Sequence, residues 1–172
     1  MATQLDALSI VISFLSRIKN VLDLSTSFDT IERNKTFTFT DGAGLDQADV
    51  HWSDERTLAA SASEDLDLAG GAVLIDAFGT ALALTEVVAI YIEADSTNTN
   101  NVLVGGAAAN GFTTPFGAAT DRIVVRPGGA ALLIAPDATA YAVAAGTGDL
   151  LRVANSGAGT SVKYRIIIIG RL

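Results

Sequence analysis

The residues with the most chemical potential sit together in Val50-His51-Trp52-Ser53-Asp54-Glu55-Arg56. His51 is the only histidine, and imidazole is the usual base near neutral pH. A serine, a histidine and a carboxylate are all present in that run. No G-x-S-x-G elbow exposes a serine nucleophile, however. The segment therefore reads as a structural or surface histidine beside a tryptophan anchor. No catalytic residue is assigned, and the chain is expected not to be an enzyme.

Metal chemistry is thin. There are no cysteines, so thiolate sites, Cys nucleophiles and disulfides are excluded. One histidine leaves zinc only carboxylates. Calcium takes hard oxygen ligands from loops. Two loops offer them: Asp41, Asp46 and Asp49, and Asp95, Asn98 and Asn100. Neither spacing matches an EF-hand, and turn-forming Asx side chains explain both. No metal and no cofactor is assigned. Gly146-Thr147-Gly148 and Gly157-Ala158-Gly159 are short turns without a following helix or a Gly-Lys-Ser/Thr, which argues against phosphate binding. Arg122, Arg126, Arg152, Lys163 and Arg165 fall in the last third, as ordinary solvated strand faces or as a patch for an acidic partner surface.

The elements that would position these residues are strands. Thr36-Phe37-Thr38-Phe39-Thr40 alternates with period two and puts both Phe rings on one face. Strands are predicted over Val50 to Leu58 and Ser63 to Leu68, the latter with Leu66 and Leu68 inward. The run Val87 to Ile92 is β-branched and short, as a buried strand should be. Residues 107–120 read as loop. Further strands follow at Arg122 to Val125, Ala131 to Ala135, Ala140 to Ala144, Asp149 to Ala154 and Val162 to Ile169. Arg126-Pro127-Gly128-Gly129 has Pro second and Gly third, as a type II turn requires. In the last strand Val162, Tyr164, Ile166 and Ile168 share a face. Its end, Ile166 to Ile169, is apolar on both sides, so it is central in a sheet or covered by another chain.

Short strands at regular spacing with Gly/Pro/Asn corners predict an all-β fold, an antiparallel sandwich of jelly-roll type, over residues 31–172. Residues 1–30 are less clear. Leu5, Leu8, Ile12, Leu15 and Leu22 have heptad-like spacing, whereas Ser9 to Phe14 alternates. An extended arm or edge strand is expected, with helix as the alternative.

Apolar residues make up 49% of the 172, with only 6% aromatic, and mean hydropathy is +0.40. That balance predicts apolar surface covered by a neighbouring subunit, in a homo-oligomer. The net charge of −8 disfavours nucleic acid. Eleven of the 19 acidic residues lie between Asp23 and Asp67. Leu8 to Leu15 is too short for a membrane span and has no basic flank before it, so neither a membrane nor a targeting segment is expected.

The second half carries a resemblance. Asn98 to Ala108, Phe112 with Pro115 to Thr120, Val125 to Gly129, Ala135 to Thr139, Gly146 to Leu151 and Ala154 to Thr160 resemble a family of small virion proteins of tailed bacteriophages. Gln47-Ala48-Asp49, Asp54 to Ser61, Asp67 to Gly71 and Asp76 to Gly79 belong to the same likeness, which covers roughly residues 45–170. It implies a virion structural protein, made in the host cytoplasm, with the major capsid protein or other virion proteins as partners. Decoration or cementing of the capsid is the leading expectation. A tail, neck or baseplate component is the second, and a carbohydrate- or receptor-binding module the third. Trp52, Tyr91, Tyr141 and Tyr164 are too scattered to favour the last.

Overall fold

A computed structural model describes residues 5–172. The period-two patterns form eleven strands among those residues: β1 (Leu8–Val21), β2 (Thr26–Phe39), β3 (Val50–Leu58), β4 (Ser63–Asp67), β5 (Glu86–Ala94), β6 (Val102–Gly105), β7 (Arg122–Val125), β8 (Ala130–Ile134), β9 (Tyr141–Ala142), β10 (Leu150–Asn155) and β11 (Val162–Arg171). No helix is present among them.

Two sheets carry the body. One runs β4-β10-β6-β7; the other runs β3-β11-β5-β8, with β9 added to β5. The outgoing strands β3, β4, β5 and β6 pair antiparallel with the returning strands β11, β10, β8 and β7 respectively. A ribbon folded back on itself makes a four-stranded and a five-stranded sheet, a sandwich with the strand pairing of a jelly roll. The predicted all-β sandwich is what the chain forms.

Burial explains why the sheets close. Leu66, Val102, Val104 and Leu151 meet Trp52, Ile90, Ile92 and Ile168 in one large core. Leu66 and Leu68 are both fully buried. The type II turn is formed as expected, with Gly128 at φ +72° and its closing bond from Gly129 N to Arg126 O at 2.8 Å. The strand expected over Ala140 to Ala144 shrinks to two residues. Ala140 takes a positive φ, and Ala144 O instead accepts from Thr147 N and Gly148 N in a turn.

β11 lies between β3 and β5. This central place explains its two apolar faces. Ile166 and Ile168 enter the main core, and Ile169 enters a second, smaller one. Between Ile169 and Gly170 the pairing with β5 slips by one residue, and Val88 turns into the second core while Val87 stays in the first. Only glycine fits at 170, because a Cβ there would lie 2.7 Å from the Glu86 carbonyl oxygen.

β1 and β2 form a separate two-stranded ribbon, paired from Leu8↔Phe39 to Val21↔Thr26 without a slip. The division expected at residue 30 falls inside β2. The alternating strand foreseen from Thr36 is the inner end of this ribbon's return strand, and residues 1–4 of the expected arm lie outside the described residues.

Candidate interaction surface

His51 stands exposed on β3, and Trp52 beside it is buried in the core. A cleft of about 290 Å³ joins His51 to Asp6, Asp49, Asp76 and Phe78. No serine lines it. Among the described residues no group of three or more His, Asp or Glu side chains is arranged to hold a metal ion.

In the two candidate calcium loops, Asp41, Asp49, Asp95 and Asn98 accept hydrogen bonds from the chain itself. Asp49 accepts from Gly42 N at 3.1 Å and Leu172 N at 3.0 Å, and Asp41 accepts from Leu5 N at 3.1 Å. Asp95 accepts from the Thr97 amide and hydroxyl and from Arg165. Those contacts, the Thr97 hydroxyl first, hold its carboxyl below the usual range. Asn98 brackets Lys163, accepting from its amide and donating to its carbonyl.

Three of the five basic residues are held in ion pairs within the chain. Arg152 makes a two-pronged pair with Asp65 at 2.7 Å on each arm. Lys163 and Arg165 share Glu55, and Arg165 also reaches Glu93 and Asp95.

The unusual surface is the ribbon. Its two strands have 14 residues each, so it is about 45 Å long at the usual rise per residue. Residues directly opposite share a face. One face therefore carries Leu8, Ile10, Ile12, Phe14 and Ile18 from β1 with Phe39, Phe37 and Ile31 from β2. At the base this face is covered, with Phe39 buried and Leu8, Ile10 and Phe37 half-buried. Phe39, Leu8, Ile10 and Phe37 meet Ala48, Val88, Ala89, Ile134 and Ile169 in the second core.

Further out no described residue covers it: Phe14 is 65% exposed, Ile18 65% and Ile31 56%. The opposite face is mixed. Val11, Leu15 and Phe28 alternate with a polar set in which Ser13 donates to Asn34 at 2.6 Å and Asn34 donates to Glu32. Leu24 at the tip is fully exposed. A two-stranded ribbon is marginal in water by itself. Exposed large apolar side chains gathered on one element in this way mark an interaction site.

What anchors the ribbon is a buried arginine. Arg171 is completely enclosed and donates to Glu86 at 2.5 Å and to the carbonyls of Gln47, Gly44, Ala138 and Asp137. Those carbonyls belong to the loops that receive the end of β2. Thr40 N bonds Asp46 O, and Ala48 N bonds Thr40 O, within the same knot.

Beside the ribbon's base, the outer face of the β3-β11-β5-β8 sheet holds a groove of about 400 Å³. Ile10, Val11, Tyr91, Leu132 and Ile167 line it. Ile167 is 40% exposed. Below it the same face turns charged, with Glu55, Glu93 and Asp95 around Lys163 and Arg165.

No family model, curated protein or solved structure matches the chain. The residues behind the phage resemblance are accordingly read from their geometry. Two of the strings, around Asn98 and Asn155, meet at the end of the sandwich away from the ribbon's base. Asn100 donates to Asn155 Oδ1 at 3.0 Å, and Asn155 donates to Ala59 O and Thr160 O. Their work is to lock three corners together.

Sequence reading missed the ribbon as a unit, and with it Phe28, Ile31 and the tip. The signal was available: two alternating runs, Ser9 to Phe14 and Thr36 to Thr40, lie at similar distances on either side of Asp23-Leu24-Ser25.

Proposed function

We propose that this chain is a structural component of a virion shell, which decorates or cements the capsid by laying its ribbon on neighbouring subunits. The observation that carries the reading is the ribbon face that is buried at Phe39, half-buried at Phe37 and bare at Phe14, Ile18 and Ile31. Such a surface is stabilised when a neighbour removes it from water. The jelly roll is among the architectures used by viral capsid proteins. Function is argued from the arm, because a fold alone does not carry one. A shell lattice presents the same docking site many times, so a modest contact per arm suffices to hold a decorating layer.

The test is to locate the protein in purified particles by reconstruction and by counting copies with quantitative mass spectrometry. Density at each repeat of the shell lattice is expected. Density confined to the tail, neck or baseplate, or absence from the particle, overturns the reading.

A further inference from the structure

We infer that the apolar face of the arm docks in the outer-sheet groove of a second copy of this chain. The inference rests on the assembly reading above and names the partner within it.

The first argument is continuity. Within one chain the arm's base already packs on this sheet: Leu8 and Ile10 lie with Ala89, Ile134 and Ile169. The next positions on the sheet, Tyr91, Leu132 and Ile167, line an open groove. The next positions on the arm, Ile12 and Phe14, continue the same apolar face. A neighbour's arm entering that groove repeats, two residues along the sheet, the contact that the chain makes with itself. The chain's own arm forms one wall of it through Leu8 to Val11, and its residues from Ile12 outward do not line it. Its pairing runs unbroken from base to tip, with no bulge to bend it back.

The second argument is charge. Residues 8–39 carry Arg17, Lys19, Arg33 and Lys35 against Asp23, Asp29 and Glu32, so the acidic excess of the chain lies on the body. Lys35 stands opposite Ile12 and Arg33 opposite Phe14, on the apolar face itself. On the sheet, the residues just past Tyr91 and Ile167 are Glu93 and Arg165, and the surrounding acids Glu55, Glu93 and Asp95 outnumber the two cations. An arm seated on the groove brings its cations over these carboxylates.

The third is exposure. Phe14 and Ile18, each 65% exposed, and Ile31, 56% exposed, all stand on the face that docks. Arm into groove is a head-to-tail contact, so it builds closed rings or open chains of copies.

Sedimentation of the full chain tests this. Three variants are compared with it: an arm variant, Phe14→Asp with Ile18→Asp; a groove variant, Leu132→Asp; and a milder groove variant, Ile167→Thr, with folding checked by circular dichroism. The parent chain is expected to self-associate in a concentration-dependent way. Each variant alone is expected to associate at least about 10-fold more weakly, as loss of a central contact does. An equimolar mixture of arm and groove variants is expected to recover a 1:1 dimer, because one intact arm then meets one intact groove. A groove variant that self-associates like the parent, or a mixture that stays monomeric, overturns the inference. So does a parent chain that remains monomeric at high micromolar concentration. None of these results touches the location of the protein in particles, which tests the assembly reading separately.

Discussion

The Tyr164 hydroxyl donates to Glu64 Oε1 at 2.7 Å, joining β11 in one sheet to β4 in the other. The second oxygen of Glu64 accepts from Arg56 of β3 at 2.5 Å, and the Arg56 guanidinium lies 5.5 Å from the Trp52 ring centroid. One carboxylate thus ties three strands across the open edge of the roll, with Tyr164 fully buried.

Burial, and then the bond to Glu64, push the Tyr164 hydroxyl above its usual range. Its neutral form is therefore favoured in the folded chain. That contribution is complete below about pH 10, where a tyrosine in the unfolded chain also keeps its proton. Above it the unfolded chain releases the proton first, and stability falls as pH rises. Tyr164→Phe is expected to cost about 1–2 kcal/mol at pH 7, since the bond is lost and Glu64 keeps Arg56. The variant should also lose stability less steeply than the parent between pH 10 and 11. Urea unfolding at pH 7 and in that range checks both, and parallel pH curves would refute the role of Tyr164.

Arg171→Met should be far more damaging. It leaves Glu86 and four backbone carbonyls without their donor in a closed space. Removing one partner from a buried charged network costs about 3–5 kcal/mol. Because the carbonyls belong to the loops at the ribbon's base, limited proteolysis should cut the variant near residues 41–49 and 136–140 before the rest. Equal protection of those loops in variant and parent would defeat this account.

Much of the fold was legible because period-two alternation and turn chemistry are local. Phe37 and Phe39, the type II turn at Pro127-Gly128 and the inward faces of β4 and β11 all follow from neighbours in sequence. The arm was only half legible. The spacing of Leu5, Leu8, Ile12 and Leu15 serves a helix as well as a strand, and what decides is the pairing with Lys35, Arg33 and their neighbours some twenty residues later. The fold of Arg171 over the ribbon's base was invisible, since its partners lie 33 to 127 residues away in the chain. The groove was equally hidden: Tyr91, Leu132 and Ile167 meet only through the strand order.

Two glycines with positive φ should respond unequally to alanine. At Gly128 (φ +72°) an added Cβ meets Ser96 at 3.4 Å, an ordinary contact, so Gly128→Ala carries only the backbone penalty of about 1 kcal/mol. At Gly105 (φ +100°) the Cβ would stand 2.7 Å from the Asp121 carbonyl oxygen, so backbone has to move as well. Gly105→Ala is expected to lower the thermal midpoint by at least about twice as much as Gly128→Ala, which differential scanning calorimetry reads directly. Equal shifts would show that the loop at Asp121 yields freely.

Phe14 and Phe39 share one face of one ribbon, and they should behave as opposites. Phe39 is 1% exposed in the second core, whereas Phe14 is 65% exposed. Phe39→Ala should cost about 3–5 kcal/mol, the usual loss for a buried ring with its cavity. Phe14→Ala, measured at dilution where copies are apart, should change stability by less than about 0.5 kcal/mol. The residue is therefore not retained for the stability of the single chain. Its effect is expected in association alone, and a stability loss at Phe14 as large as that at Phe39 would mean that the outer ribbon is already covered within one molecule.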